Sequence, residues 1–492
     1  MASDRGMWQR RAGALLLASF LPITCCDAAA DPVLIAVGFV NAATRDMAAE
    51  TAGLLESGVP GNRLGGIGSG LAHAGGDTFL ALPDRGPNAA HYNACVDDTT
   101  SYITRFHTFR LALTPSPAGA ALPFTLSPAL LHTTLLSSPS PLVYGSGGAY
   151  GTNCGVLRTG APVLNAIDDA YYFTGRSDAF DPARLSTNTA NGRFDPESIR
   201  VANDGRTVFI SDEYGPDIYE FSRLTGMRTA VFAVPDKFGI RIAASTRQTE
   251  VDRNSSGRLS NRGLEGLALT PDGRTLVAIL QSPLLQDGGI TRATTRMVTF
   301  DVQTRVVLHE YAYGFDNIGT SLTPRYGTVG DILALNDHEF LVSELDAQGL
   351  GDDSAASMKR VYKIDVQGAA DIGAVTDPAA LRSHAVPKSL FLDVVAVLTA
   401  APLRMRQADI PAKLEGLAFG DDVTVDGIVK HTLYVSTDND FVPVVTDSRH
   451  PAGFDNPNTI YVFGFDVDDL QGSEFIPQRL ESVSLASDCP PY

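Results

Sequence analysis

The chain has little cysteine and no pattern in which cysteine and histidine usually bind a metal. Five of its 492 residues are Cys, and neither a Cys-x-x-Cys pair nor a Cys/His ligand spacing occurs. A structural zinc site is therefore not expected.

Common catalytic motifs are also missing. Gly66-Ile-Gly-Ser-Gly70 is rich in glycine but has the wrong order for the Gly-x-Ser-x-Gly of a serine hydrolase. His309-Glu310 lacks the second histidine of His-Glu-x-x-His, and Arg449-His450-Pro451 does not match the Arg-His-Gly of histidine acid phosphatases. Any catalysis is therefore expected to be metal-assisted activation of water.

Positive charge is in short supply. The chain has 38 Lys and Arg against 56 Asp and Glu, a formal net charge of −18. This balance argues against a nucleic-acid or anionic-membrane partner and suits a monomeric protein that binds cations or a neutral small-molecule substrate. A phosphorylated substrate would need a cation as intermediary.

A long apolar run occurs at the N-terminus, where Ala12–Ile23 follows Arg10 and Arg11. Small residues before Asp31 supply a cleavage site, so residues 1–30 are predicted to be a secretory signal rather than a membrane span. An ordinary signal fits better than a twin-arginine one. We expect the protein to be exported to the periplasm or the medium, and lipid attachment at Cys25 or Cys26 is an alternative.

Removal of that signal leaves Cys95, Cys154 and Cys489. A disulfide between Cys95 and Cys154 is predicted, because both lie in the loop-rich first third of an exported chain. The alternative is that all three thiols stay reduced.

Five copies of one pattern run along the chain: a short apolar strand opened by Gly or an acid, a turn, and a second apolar strand that closes mostly with an acid. Aligned on their opening residue, the copies start at Gly66, Glu197, Glu265, Asp331 and Glu415. Alternating segments such as Asp217–Phe221 and Arg228–Val234 supply a third and a fourth strand, and Asp-Gly turns separate the strands.

Repeats of four short strands indicate an all-β fold, a β-propeller with about six blades, five or seven being possible. The steps between copies are 131, 68, 66 and 84 residues, and the first step is long enough to hide a degenerate blade. We interpret residues 31–492 as one domain, with residues from about 114 to 191 as an elaborated connection.

Propeller geometry brings the acids of these copies to one face, because the first strand of each blade begins where the second strand ends. The opening acids are Glu197, Glu265, Asp331 and Glu415, and the closing acids are Asp84, Asp212, Glu213, Glu344, Asp346, Asp438 and Asp440. Such crowding of carboxylates favours a hard divalent cation, and oxygen ligands from several loops suit Ca²⁺. Each acid taken singly could instead cap a turn.

Seven of these acids are predicted as calcium ligands: Glu197, Asp212, Glu265, Asp331, Glu344, Glu415 and Asp438. Glu213 is the candidate proton acceptor, with Asp84 and Arg85 beside it in catalysis. Candidate anion-binding groups are Arg63, Arg85, Asn88, Arg262 and Lys413, although their cations could simply balance nearby acids. His73, His91 and His338 could act as general bases, but surface or packing roles are favoured.

Six segments resemble the phytase-like family described as having esterase-like activity of phytase, over residues from about 50 to 470. They are Arg63–Ser69, Leu82–Asn88, Phe194–Ile199, Ser211–Gly215, Arg262–Leu267 and Lys413–Leu417. The resemblance implies an exported protein that hydrolyses phosphate esters. The Asp-Asp-Pro-Ala signature of calcium-dependent propeller phytases is missing, which argues against phytate as the substrate.

The leading hypothesis is thus an exported, calcium-binding β-propeller that hydrolyses phosphate esters. One alternative is a calcium-dependent lactonase or carboxyl esterase, which would need fewer metal ligands and an apolar pocket beside them. The other is a non-catalytic binding scaffold. An anion-binding group at Arg85 on the acidic face would favour the first.

Overall fold

The computed structural model describes residues 32–88, 99–144, 170–175, 184–244 and 247–481, and these residues form a β-propeller. The predicted secretory signal, Cys95, Cys154, Cys489 and His91 lie outside the described residues. Among the helices that are described, none is both long and apolar enough to cross a bilayer.

Five four-stranded antiparallel sheets form the blades. Blade 1 consists of Gly70–His73, Thr78–Leu82, Arg105–Pro115 and Phe124–Leu135. Blade 2 consists of Pro196–Val201, Thr207–Asp212, Ile218–Ser222 and Arg228–Phe232. Blade 3 consists of Leu264–Leu269, Thr275–Leu280, Thr294–Asp301 and Val307–Gly314. Blade 4 consists of Thr328–Ala334, Glu339–Leu345, Lys359–Asp365 and Lys388–Asp393. Blade 5 consists of Lys413–Val425, Ile428–Asp438, Asn458–Phe465 and Val33–Val40.

The remaining elements are short. Two two-stranded sheets pair Ser137–Ser138 with Tyr171–Tyr172 and Val444–Val445 with Phe454–Asp455. The α-helices are Arg247–Arg253, Pro378–Ser383 and Val394–Thr399. The 3₁₀ turns are Ala49–Thr51, Asp236–Phe238, Leu285–Asp287, Gly289–Thr291 and Gln407–Asp409.

The propeller prediction is confirmed, with five blades in the described residues rather than six. The first strands of neighbouring blades contact one another around the ring, and that of blade 1 contacts those of both blade 2 and blade 5. The ring is therefore complete without a sixth blade. The long first step arises from long connections, because residues 83–104 separate the second and third strands of blade 1 and residues 136–195 separate blade 1 from blade 2. Arg105–Pro115 and Phe124–Leu135, partly inside the predicted connection, are the outer strands of blade 1.

An apolar core fills each seam between adjacent blades, because both faces of every blade are covered. Phe209 packs into the seam between blades 2 and 3, whereas its neighbours Val208 and Ile210 pack into the seam between blades 1 and 2. Successive side chains of a strand point to opposite faces, so a strand buried on both faces reads as a continuous apolar run. Leu276–Leu280 is such a run.

The N-terminal strand closes the ring. Val33–Val40 pairs antiparallel with Asn458–Phe465 and supplies the outer strand of blade 5. The first and the last blade strands of the described residues thus share one sheet, and Ile35 of the N-terminal strand is fully buried in the seam between blades 5 and 1.

We expect Ile35→Ala to lower the free energy of unfolding by about 2–5 kcal/mol, because it leaves a cavity in that seam. Phe39→Ala on the same strand is the matched control. Phe39 is 61% exposed, so its loss should cost less than about 0.5 kcal/mol. Urea denaturation of the mature protein measures both values, and equal effects would show that the N-terminal strand does not seal the core.

Candidate functional site

The pairing register shows which acids share the channel face. In blades 2, 4 and 5 the second strand carries a serine, Ser211, Ser343 or Ser436. The residue after this serine pairs with Pro196, Val329 or Leu414, which directly precedes Glu197, Gly330 or Glu415. The residue two positions after this serine lies on the same face of the blade as the serine, and the residue directly after it lies on the other face, because side chains alternate along a strand. Paired positions extend this rule to blades 1 and 3.

By this register, the equivalent positions at the second-strand ends are Asp84, Glu213, Gln281, Leu345 and Asp438. The corresponding positions of the first strands are Ser69, Glu197, Glu265, Gly330 and Glu415. The strand pairing is irregular around Glu197, Glu265, Gly330 and Glu415, and such bulges re-aim a side chain. Blades 1, 2, 3 and 5 thus contribute acids to the channel, whereas blade 4 contributes Gly330 and Leu345.

Eight carboxylates gather on this face, which we call the acidic band: Asp84, Asp195, Glu197, Glu213, Glu265, Glu415, Asp438 and Asp440. Seven of them form three overlapping triads whose ligand atoms lie within 4.8 Å of one another. The triads are Asp84/Asp438/Asp440, Asp84/Asp195/Glu197 and Glu197/Glu213/Glu265. Two unit charges at that separation repel by about 3 kcal/mol at an effective dielectric constant near 20, so the band needs protons or cations.

A protein cation bridges two carboxylates in each of two triads. Lys413 Nζ lies 2.6 Å from Asp438 and 2.8 Å from Asp440. Arg85 Nη1 lies 3.3 Å from Asp195 and 3.5 Å from Asp84. The first triad is therefore bridged by an ammonium group and the second by a guanidinium group.

In the third triad, Glu197/Glu213/Glu265, no carboxylate forms an ion pair among the described residues, although the charges of Arg85 and then Arg262 lower the pKa of Glu213. Glu213 is 1% exposed, and neither of its carboxylate oxygens has a hydrogen-bond partner within the part of the chain that the structure describes. A buried carboxylate without donors is costly. Three carboxylate oxygens within 4.8 Å fit around one ion with Ca–O bonds of about 2.3–2.6 Å, so the donor set suits calcium.

Burial perturbs the titration of the band. Desolvation, followed by the charges of neighbouring acids, raises the pKa of Asp84 to about 8 and that of Glu213 to about 7. The pKa values of Glu197, Glu265 and Glu415 are also raised, first by burial. Each shift reports a carboxylate that is more stable protonated, or beside a cation, than ionised alone.

Two groups orient the third triad from its rim. Gln281 Nε2 donates to Glu265 Oε2 at 2.9 Å, and Arg262 Nη1 donates to Gln281 Oε1 at 3.2 Å and Ser282 Oγ at 3.0 Å. Arg262 is thus held beside Glu213, whose pKa it helps to lower. Asn88 links the other triads, since it accepts from Arg85 and donates to Asp440.

Asp331 lies in the channel but not in the band. It occupies the position one residue after the opening acid, where Ser198 and Gly416 stand in blades 2 and 5. Its oxygens accept from Ser198 Oγ and Ile332 N at 2.8 Å, from Arg200 Nη2 at 2.7 Å and from Leu417 N at 2.9 Å. The alignment of Asp331 with Glu197 was off by one residue, and Asp331 ties three blades together.

Asp212 and Glu344 directly precede Glu213 and Leu345, so their side chains point to the other face of the blade. Asp212 accepts from the backbone amides of Asp195, Tyr214 and Gly215 at 2.9, 3.0 and 2.5 Å. Glu344 pairs with Lys388 and accepts from Tyr313 Oη at 2.5 Å. These two predicted calcium ligands are thus held within the protein, away from the triads.

The other candidates lie apart as well. Asp346 pairs with Lys359 Nζ at 2.5 Å, and no hydrogen bond or ion pair among the described residues joins the Arg63 guanidinium to the band. His73, which contacts Gly76 O, and His338, which contacts Asp365, lie at the ends of strands on the opposite face. Neither histidine can act at the band.

Asp195 is the band residue that the sequence analysis did not select. It directly precedes Pro196-Glu197 in the blade 2 motif, so its position beside an opening acid was the available signal. The left-handed backbone of two successive non-glycine residues, Asp440 and Phe441 at φ 51° and 57°, was not visible in the sequence. Strained conformations of this kind cluster at functional sites.

The chain belongs to the phytase-like family described as having esterase-like activity of phytase, whose model matches residues 62–441. This match confirms the predicted family and includes every residue of the acidic band.

One relative is an uncharacterized secreted protein of Arthroderma benhamiae, 31% identical over an alignment of 288 residues that covers 51% of this chain. This chain spans about half (52%) of the relative's length.

Solved structures with similar chains include a luciferin-regenerating enzyme and a PQQ-bound aldose sugar dehydrogenase from Streptomyces coelicolor. Each is 12% identical, with TM-scores of 0.32 and 0.29, covering 85% and 88% of this chain and 97% and 94% of theirs. Similarities of this size identify no reaction.

Glu213→Gln should stabilise the protein in the presence of a chelator. The folded-state pKa of Glu213 is raised to about 7 from 4.5, so ionisation costs stability increasingly as pH rises from about 4.5 to 7, up to about 3 kcal/mol. The variant should therefore gain more at pH 8 than at pH 5 in chemical denaturation. Asp337→Asn, at a side chain 80% exposed, is the control, and a destabilised Glu213→Gln at pH 8 would contradict the account.

Asp331→Ala should lower the free energy of unfolding by about 3–5 kcal/mol, because it leaves Arg200 buried without its carboxylate. Arg200→Met/Asp331→Leu, which removes both charges, should recover most of that loss. Thermal denaturation with chelator present measures the stability of both variants. A single variant as stable as the parent would show that Asp331 does not join the blades.

Proposed function

We propose that the protein is an exported, calcium-dependent hydrolase of phosphate esters. Glu213 carries this proposal, because a nearly fully buried carboxylate whose two oxygens have no donors among the described residues lies within 4.8 Å of two further carboxylates. Family membership supports a hydrolase, and the relative named as secreted supports export.

In this proposal Glu197, Glu213 and Glu265 bind the calcium ion. Bound there, the ion would neutralise the phosphate and lower the pKa of a coordinated water. A carboxylate that ligates a cation is a weak base, so we give Glu213 the role of ligand rather than the proton-accepting role expected from the sequence. Glu415 remains a candidate that contributes charge to the band without joining a triad.

Arg85 and Arg262 are the proposed anion-binding groups. Arg85 lies on the channel face, and its Nε has no hydrogen-bond partner among the described residues. Arg262 is fixed by Gln281 and Ser282 beside Glu213. A phosphate between these guanidinium groups would gain the two-pronged contacts that arginine offers.

Asp84 is the proposed proton donor to the leaving group. It belongs both to a triad with Glu197 and to the triad with Asp438 and Asp440, so it stands between the proposed ion and the blade 5 side of the band. In its protonated form Asp84 can donate a proton to a departing alkoxide.

A calcium-stiffened binding scaffold is the second candidate. The observation that favours it is the burial of the third triad, whose members are 1–6% exposed, since an ion in a closed site typically has a structural role.

The test is a calcium titration by calorimetry, followed by assays of loaded and chelated protein on phosphate monoesters, diesters and a lactone. We expect binding of one ion at this triad, at least 100-fold weaker in Glu213→Gln and Glu265→Gln, and calcium-dependent release of phosphate. Asp421→Asn is the control, at a 70% exposed side chain near the opposite mouth of the channel.

Calcium binding with raised thermal stability but no turnover would favour the scaffold. Turnover of the lactone alone would favour the lactonase. No calcium binding would contradict the shared metal site.

A further inference from the structure

A cavity of about 580 Å³ opens on the acidic face between the loops of blades 4 and 5, and we call it the blade 4–5 cavity. Its lining residues are Leu350, Gly351, Asp352, Asp353, Ala412, Lys413, Asp438, Asn439, Asp440, Val442, Val445, Thr446, Asp447 and Asn456. The volume lies within the range of about 300–1,000 Å³ that is usual for small-molecule sites.

The cavity is next to the proposed reaction centre. It shares Asp438 and Asp440 with the triad that contains Asp84. Asp84 in turn forms a triad with Glu197, a proposed calcium ligand. A molecule with its phosphate at the ion could therefore place the rest of its structure in the cavity.

Hydrogen-bond acceptors dominate the polar lining. Five aspartates face one cation, and the ammonium group of Lys413 already bridges Asp438 and Asp440. Asp447 is 10% exposed at its side chain, and its Oδ2 has no hydrogen-bond partner within the described residues. An additional phosphate group in this cavity would meet like charge rather than a cation.

The walls are also rigid. Leu350 N donates to Ile410 O at 2.8 Å, and Ala412 N donates to Leu350 O at 3.0 Å, which joins the two loops. Asp353 accepts from Ser448 N at 3.1 Å. Asp440 has a left-handed backbone, as does Asp353 at φ 50°, so both carboxylates are held by an ordered framework.

Apolar surface lies beside these acceptors. Leu350 and Val445 are buried, and Ala412 and Val442 complete an aliphatic side of the cavity. No aromatic residue is among the described residues that line it, so the ring faces that bind quaternary ammonium groups are missing there. A sugar or a cyclic polyol matches this lining, because its hydroxyl groups can donate to the carboxylates and its C–H groups can contact the aliphatic side.

We propose that the blade 4–5 cavity binds an uncharged polyhydroxy group, which is the alcohol portion of the substrate if the proposed hydrolysis holds. The claim that this group belongs to a substrate rests on the proposed function, but binding of the group to the cavity can be tested independently. It selects monoesters of neutral sugars or polyols over compounds phosphorylated at every hydroxyl.

The experiment is saturation-transfer NMR on calcium-loaded mature protein with three probes: methyl glucoside, myo-inositol and inositol hexakisphosphate. Asp352→Lys adds a cation and removes an acceptor at an exposed position, and Asp447→Asn replaces the unpartnered oxygen by an amide without changing shape. Asp421→Lys, near the opposite mouth, is the matched control. Circular dichroism confirms that each variant is folded.

We expect the neutral polyols to bind. Each cavity variant should weaken their binding about tenfold, as for the loss of one hydrogen bond to a charged group, whereas Asp421→Lys should leave their binding unchanged. Polyol binding without phosphate release would uphold the cavity assignment and refute the hydrolase. Absence of polyol binding, equal binding in all variants, or tighter cavity-dependent binding of inositol hexakisphosphate would overturn the inference.

Discussion

The crowding of buried carboxylates imposes the main electrostatic constraint on this structure. Eight carboxylates meet on one face of the ring because antiparallel hairpins bring the start of each first strand to the end of the second. Lys413 and Arg85 bridge two of the three triads. What distinguishes the third triad is that the described part of the chain offers Glu213 no donor.

The rest of the propeller serves to hold that crowding in place. Apolar seams fix the blades against one another, the N-terminal strand closes the ring, and Asp331 with Arg200 ties blades 2, 4 and 5 together below the band. Removing water from a charged site strengthens every interaction in it. A scaffold that keeps these acids together despite their electrostatic repulsion is therefore suited to binding a cation. The cavity beside Asp440 offers a place for a second group on the same face.

Much of this arrangement could be predicted from the sequence, and the exceptions have physical causes. The opening and closing acids predicted one acidic face, because an antiparallel hairpin brings the start of its first strand to the end of its second strand. Alternation also separates Glu213 from Asp212, but only once the serine that the second strands of blades 2, 4 and 5 share is used to align the blades. The irregular pairing that makes Gly330 the blade 4 equivalent of the other blades' glutamates cannot be seen in the sequence. For this reason Asp331 was aligned with those glutamates, one residue before its true equivalent position. Long-range partners such as Arg200 for Asp331 depend on how blades pack, which no local pattern contains.

The central claim is that one triad, Glu197/Glu213/Glu265, is the calcium site. Anomalous diffraction from crystals soaked with a lanthanide, which replaces calcium at oxygen-rich sites, locates the ion directly. The account predicts one strong peak among the three glutamates, lost in Glu213→Gln crystals. A peak at Asp84/Asp438/Asp440 instead, or none on the acidic face, would contradict it.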